Sequence, residues 1–185
     1  MIAETQNESK TKMQHAVDFA REDFSSIRTG RAHPAMFSPL LVNYYGAPTP
    51  LQQLATFTST DPRSLLITPF DRSAINAVEK AIRDAELGVN PSNDGNSIRV
   101  VMPELTQERR KEYIKMARSK AEEARVAIRN VRRHAMDQLK KLEKDGQIGE
   151  DELVRAEKAM DAQTKKFIDS IDELLKAKEA ELSEI

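Results

Sequence analysis

All eight prolines of this 185-residue chain fall between Pro34 and Pro103. Proline has no backbone N–H and its ring clashes with the preceding turn, so a stretch this rich in it cannot hold a long helix. The segments on either side carry no proline, and both repeat their apolar residues at helical spacing. The pattern forces long helices outside and short extended pieces inside.

The first helical stretch reads from residue 1 to about 29. Met13, Val17, Ala20, Phe24 and Ile27 recur at spacings of 4 and 3, which places them on one face. Thr5 and Glu8 have the spacing of a capping box, and Gly30 followed by Pro34 stops the helix. Beyond Pro34, Leu40 to Tyr45 reads as a strand ended by Gly46, and Pro48 and Pro50 as an extended turn. Leu54 to Thr58 and Ser64 to Thr68 read as further strands. Ser73 to Glu86, with Ile75, Val78, Ala81, Ile82 and Ala85, reads as an amphipathic helix that stops at Gly88. Asn90 to Gly95 reads as a turn-rich loop and Ser97 to Met102 as a closing strand.

Helical periodicity returns after Pro103 and runs to about Lys144, roughly 60 Å at 1.5 Å per residue. Tyr113, Ala117, Ala121, Ala124, Ile128, Val131, Ala135, Leu139 and Leu142 form its apolar stripe. Asp145 to Gly149 is a turn, and a last helix carries Leu153, Ala156, Met160, Phe167, Ile171, Leu174 and Leu182. The expected class is α+β. Residues 1–30 and 105–185 make a long three-helix bundle, and residues 31–104 make a small β/α/β domain inserted into it. The chain crosses between them twice, so a hinge is expected at Gly30, Arg31, Pro103 and Glu104.

Function classes narrow by exclusion. No run approaches the roughly 18 apolar residues of a membrane span and no signal or transit pattern opens the chain, so a cytoplasmic protein without membrane contact is expected. Zero cysteines exclude disulfides and thiolate sites. No Walker loop, GxSxG, HExxH or GxGxxG occurs. His15, His33 and His134 share no ligand spacing, and Asp71 and Asp94 read as loop carboxylates. The expectation is a non-enzyme with no cofactor and no metal.

Charge is what remains. The net charge of −1 hides a split. Residues 104–144 hold 13 Lys+Arg against 7 Asp+Glu, and residues 150–185 hold 6 against 11. Arg110, Arg118, Arg125, Arg129, Arg132 and Arg133 lie on an arc beside the apolar stripe of the long basic helix. Two readings stay open on spacing alone. In one the arc is a solvated face, with Glu122 pairing Arg118 and Asp137 pairing Arg133. In the other it is a ridge of guanidiniums suited to bidentate phosphate contact, only part of it neutralised by an acidic partner helix.

Five blocks carry a resemblance. They are Ile27-Arg28-Thr29-Gly30-Arg31-Ala32, Tyr44-Tyr45-Gly46-Ala47-Pro48-Thr49-Pro50-Leu51, Leu87-Gly88-Val89-Asn90-Pro91, Pro103-Glu104-Leu105-Thr106-Gln107-Glu108-Arg109-Arg110-Lys111 and Val126-Ala127-Ile128-Arg129-Asn130-Val131-Arg132-Arg133. In this order, across almost the whole chain, they resemble the ribosome recycling factor family. The resemblance implies an L-shaped, tRNA-like outline with flexible linkers. It also implies a monomer that binds the 70S ribosome after termination, mainly through large-subunit rRNA. With elongation factor G and GTP, such a protein splits the ribosome into subunits and releases mRNA and tRNA for new translation. The implied rRNA-binding residues are Arg110, Arg129 and Arg132, with Arg133 as their neighbour, and the implied partner of the small domain is elongation factor G. His134 stands where the family commonly has an acidic residue. The residues themselves leave a structural alternative for Arg132, which borders the apolar stripe and is placed to pair with the last helix. Arg28 and Arg31 are open to a hinge or an RNA role. Tyr44-Tyr45-Gly46 reads as core and turn rather than a stacking platform. The competing reading of the whole chain is a coiled-coil or chaperone protein whose ridge binds an acidic protein. Ribonuclease treatment of a lysate separates the two.

Overall fold

A computed structural model describes residues 1–184. They form two compact units, one of Met1–Arg28 with Gln107–Glu184, the other of Thr29–Thr106. The chain passes between units at Arg28–Thr29 and Thr106–Gln107.

The first unit consists of α1 (Ile2–Ser25), α4 (Gln107–Lys144) and α5 (Glu150–Ser183). Its α+β companion and the packing of all three helices on one another give the fold class expected from the periodicities. The α1 stripe is buried throughout, from Met13 at 0% exposure to Phe24 at 3%. Along α4 the stripe is mostly alanine (Ala117, Ala121, Ala124, Ala135), with Ile128, Met136 and Leu139 among them. Small side chains let helix axes approach closely, and each fully buried aliphatic adds about 1.5–3 kcal/mol. Three polar side chains share this interior. Ser9 Oγ donates to the Thr5 carbonyl at 2.8 Å and Thr164 Oγ1 to the Met160 carbonyl at 2.8 Å. Such i−4 bonds satisfy hydroxyls that would otherwise be costly to bury. Thr5 does the same less well, donating to the Met1 carbonyl at 3.3 Å. It therefore lies inside the helix and is not its cap: α1 begins at Ile2 with no side-chain cap. The capping box read at Thr5 and Glu8 does not form, because the helix already spans both residues.

The α4–α5 connection is short and well defined. Gly146 has φ +76°; its N–H donates to the Glu143 carbonyl and that of Gln147 to the Leu142 carbonyl, both at 2.9 Å. This is the Schellman closure, which needs a left-handed residue where glycine stands. Glu152 then accepts the Gly149 N–H at 3.0 Å and starts α5.

The second unit has two antiparallel sheets. β1 (Leu41–Tyr44) pairs with β2 (Ala47–Pro50) in a hairpin. β3 (Ala55–Asp61), β4 (Ser64–Pro69), β5 (Asn90–Asn93) and β6 (Ile98–Val101) form a sheet in the order β3-β4-β6-β5. A one-turn helix, α2 (Leu51–Leu54), links the sheets, and α3 (Ile75–Asp84) packs against β1 and β5. Leu65 faces Val100 and Ile67 faces Ile98 across β4 and β6, all at 0% exposure. The rest of the core includes Phe37, Val42, Leu51, Val78 and Ile82.

Two local readings change here, and one element is new. Residues 47–50, read as a turn, are strand β2. The turn itself is Tyr45-Gly46, with φ +50° and +80°, the two-residue type that matches strand twist. Pro48 and Pro50 are tolerated because a two-stranded sheet leaves every strand an open edge. Residues 90–93, read as loop, pair with β6 from Asn90↔Val101 to Asn93↔Ile98. Asn-Pro-Ser-Asn has little strand propensity of its own, and β6 supplies the template at the sheet edge. The α2 turn had no periodic signal in four residues.

Candidate nucleic-acid interface

The arginine arc of α4 sorts into three groups. Arg118, Arg125 and Arg132 stand at seven-residue intervals and each reaches an acid of α5. Arg118 Nε donates to Glu179 at 2.6 Å and Arg132 Nε to Asp161 at 2.7 Å. Arg125 meets Asp172 through both Nε (2.8 Å) and Nη2 (2.6 Å), and its Nη1 reaches Glu122 at 3.1 Å. With its donors engaged and 20% of its side chain exposed, Arg125 braces the helix pair.

Arg129 forms the second group, bound within its own helix through one Nη1 bond to Glu122 at 3.1 Å. Glu122 therefore serves Arg125 and Arg129, and these two guanidiniums, Arg125 first, hold its carboxyl below the usual glutamate range. The pairing of Glu122 with Arg118 suggested by spacing is replaced: α5 offers Arg118 a closer acid in Glu179.

Arg110 and Arg133 form the third group. Their guanidiniums have no ion-pair partner among the described residues. Arg133 is exposed, and the pairing with Asp137 read from spacing is absent. Arg110 is half-buried in the first turn of α4. It lies seven residues before Ala117 and so projects along the buried line, apart from the other arginines. His134 is exposed and lines a groove between α1 and α4 with Glu8, Lys12 and Lys141.

The flank of α4 is thus less open than an apolar seam alone implies. Acids of α5 reach around the stripe edge and engage three arginines. A signal for this exists in the sequence. Arg118, Arg125 and Arg132 keep a strict heptad, and in an antiparallel hairpin residues equally far from the turn face each other. Asp161, Asp172 and Glu179 stand at about those opposite positions. What remains outward is a band of partly engaged guanidiniums, suited chemically to an anionic backbone.

The expected hinge residues all lie inside the second unit. Gly30 is left-handed at φ +79°. Nearby, the Ala32 N–H donates to the Pro62 carbonyl at 2.9 Å. Arg63 holds the outgoing strand: its Nε and Nη2 donate to the Met102 carbonyl at 3.2 and 2.9 Å, and its Nη1 meets Glu104 at 2.8 Å. The β3–β4 turn therefore secures both crossings on the small-unit side. Nothing in the spacing around Arg63 marks it for this role.

Other candidates resolve structurally. Asp71 accepts from the Ser73 hydroxyl at 2.7 Å, the Ser73 N–H at 2.9 Å and the Tyr44 hydroxyl at 2.8 Å. The Ser73 and then the Tyr44 hydroxyl hold its carboxyl below the usual aspartate range, and Tyr44 is correspondingly raised. Asp94 accepts the Asn96 and Ser97 N–H groups, which lower it likewise. Both carboxylates are turn anchors. Among the described residues no cluster of His, Cys, Asp or Glu is arranged to hold a metal, and no helix is long and apolar enough to cross a membrane.

Comparison with known proteins places these features in a family. The family model described as ribosome recycling factor matches residues 20–182. The ribosome-recycling factor of Kocuria rhizophila is 63% identical over 182 residues, covering 98% of each chain. A solution structure of a ribosome recycling factor matches with a TM-score of 0.80 at 38% identity, over 100% of this chain and 98% of the other. Models for the T. thermophilus ribosome recycling factor and the E. coli elongation factor G bound to the E. coli post-termination complex match with a TM-score of 0.70 at 46% identity, over 98% of both chains.

Proposed function

This chain belongs to the ribosome recycling factor family, and from that premise we propose that it binds the post-termination 70S ribosome and, with elongation factor G and GTP, splits it into subunits, releasing mRNA and tRNA. The observation that carries this reading is the outward arginine band of α4. Arg129 and Arg132 keep unengaged donors and Arg133 is exposed, which suits phosphates of large-subunit rRNA. Arg110 stands apart from this band, half-buried in the first turn of α4, and in this reading is a separate rRNA contact. A relative at 46% identity is described together with elongation factor G on the post-termination complex, and that supports elongation factor G as the partner of the small unit.

In this reading the chain works as a monomeric cytoplasmic lever and not as an enzyme. It has no phosphate-binding loop, so the free energy of GTP hydrolysis comes from elongation factor G. The bundle anchors on rRNA, and the two crossings, flanked by Gly30, Arg31, Pro103 and Glu104, let the small unit transmit force. The test is polysome breakdown with purified elongation factor G and GTP. Monosomes and then subunits accumulate only when chain, factor and GTP are all present. Unchanged polysomes in the complete mixture overturn the proposal, as does GTP hydrolysis by the chain alone.

A further inference from the structure

We propose that Asp161 of α5 is a positioning residue for Arg132, gripping one edge of the guanidinium so that the other edge is aimed at a ribosomal phosphate. The inference rests on the reading that Arg132 contacts rRNA.

The geometry separates Arg132 from its heptad neighbour. Arg125 spends Nε and both Nη groups on two carboxylates. Arg132 uses Nε alone, at 2.7 Å to Asp161 Oδ1, and its side chain stays 42% exposed. An arginine has five N–H donors in a rigid plane. A carboxylate held at Nε leaves the four Nη hydrogens, and the outer ones can make the two parallel bonds that phosphate accepts. Arg132 borders a cleft lined by Arg133 and Lys140 and also by Asp137, Glu157 and Asp161, so the charge there is balanced and the aim of the guanidinium, not the net charge of the cleft, is what favours a phosphate.

Two opposite effects of Asp161 must be weighed. As a competitor, its negative charge repels a phosphate and occupies one donor. As a positioner, it removes rotamer freedom from a long side chain before binding. Exposed ion pairs are weak in water, so little is lost by competition, and Nε is not a donor the phosphate needs. Ordering Arg132 is the larger effect, because its unbranched stem otherwise samples many rotamers. Asp161 thus acts through Arg132 and touches no ligand itself.

The experiment measures binding of the full chain to purified bacterial large ribosomal subunits for the wild type, Asp161→Ala, Asp161→Asn, Arg132→Ala and the double Ala variant, with a melting curve for each. Asp161→Ala removes the acceptor and is expected to weaken binding about threefold to fivefold, the upper end of what an exposed ion pair can contribute by ordering its partner. Asp161→Asn keeps an acceptor for Nε and is expected to stay within about twofold of wild type. In the Arg132→Ala background, Asp161→Ala is expected to add nothing. Tighter binding by Asp161→Ala overturns the proposal in favour of competition. Equal losses in the Ala and Asn variants, or a loss that persists without Arg132, overturn it in favour of a structural role. If Arg132→Ala itself binds normally, the rRNA reading of Arg132 fails, and the proposal with it. If Arg132→Ala binds weakly while Asp161→Ala binds as wild type, only the positioning role fails.

Discussion

Neighbouring arginines on one helix face differ in role because their donors are committed differently. Arg125 and Arg132 occupy the same heptad position, yet one is engaged on all sides and the other at one atom. Arg132→Ala is expected to weaken large-subunit binding about tenfold or more, the loss of a charge-assisted hydrogen bond. Its melting temperature should hardly move, since the exposed pair with Asp161 contributes about 0–1 kcal/mol. Arg125→Ala should show the reverse, a lower melting temperature with binding little changed. Paired binding and melting measurements decide between these roles, and a destabilised Arg132→Ala counts against the assignment. Asp71 carries a pH prediction. Its folded pKa is depressed by Ser73 and Tyr44, so its contribution to stability is full above the unfolded value and is lost as pH falls through the folded one. The β1–β2 hairpin, tied to Asp71 through Tyr44, should therefore exchange its amides faster below the ordinary aspartate range. Asp71→Asn should flatten that dependence; equal acid sensitivity in both proteins would rule it out.

Elements are set by a few local constraints and by what covers them. The Tyr45-Gly46 turn needs φ above zero at both positions. A Cβ on Gly46 meets nothing within 4 Å, so Gly46→Ala isolates the backbone cost, expected at about 1–2 kcal/mol in denaturant titration. No loss would mean the hairpin shifts freely to another turn. In α4, Ile128 is fully buried between alanines, and Ile128→Ala should cost about 2–5 kcal/mol while the arginine band keeps its positions. Long periodic helices were legible in the sequence because burial repeats through many turns. β2, β5 and α2 were not, since four residues rich in Pro, Asn or Gln carry no period and take their conformation from the partner strand or the packing.

For the whole molecule, the proposed contact is electrostatic, so its strength should depend on salt. If Arg110, Arg129, Arg132 and Arg133 each meet one phosphate, log affinity should fall with log salt at a slope of about 3, taking 0.7–0.9 per contact. Sedimentation of the chain with large subunits across a salt series measures it. A flat response would point to an acidic or apolar protein surface instead. The sequence by itself determined the class of the fold, the three long helices and the interruption by a proline-rich unit, because backbone chemistry and apolar period act locally. It also placed the positive charge on one helix and the excess of acid on another. Only the tertiary structure decided which guanidiniums are spent. That choice depends on acids 29 to 61 residues away in sequence, which the α4–α5 hairpin brings within 3 Å. Arg63 holding Met102 and Glu104 is the same kind of result. A long side chain chooses among partners by distance in space, and that distance exists only once the chain has folded.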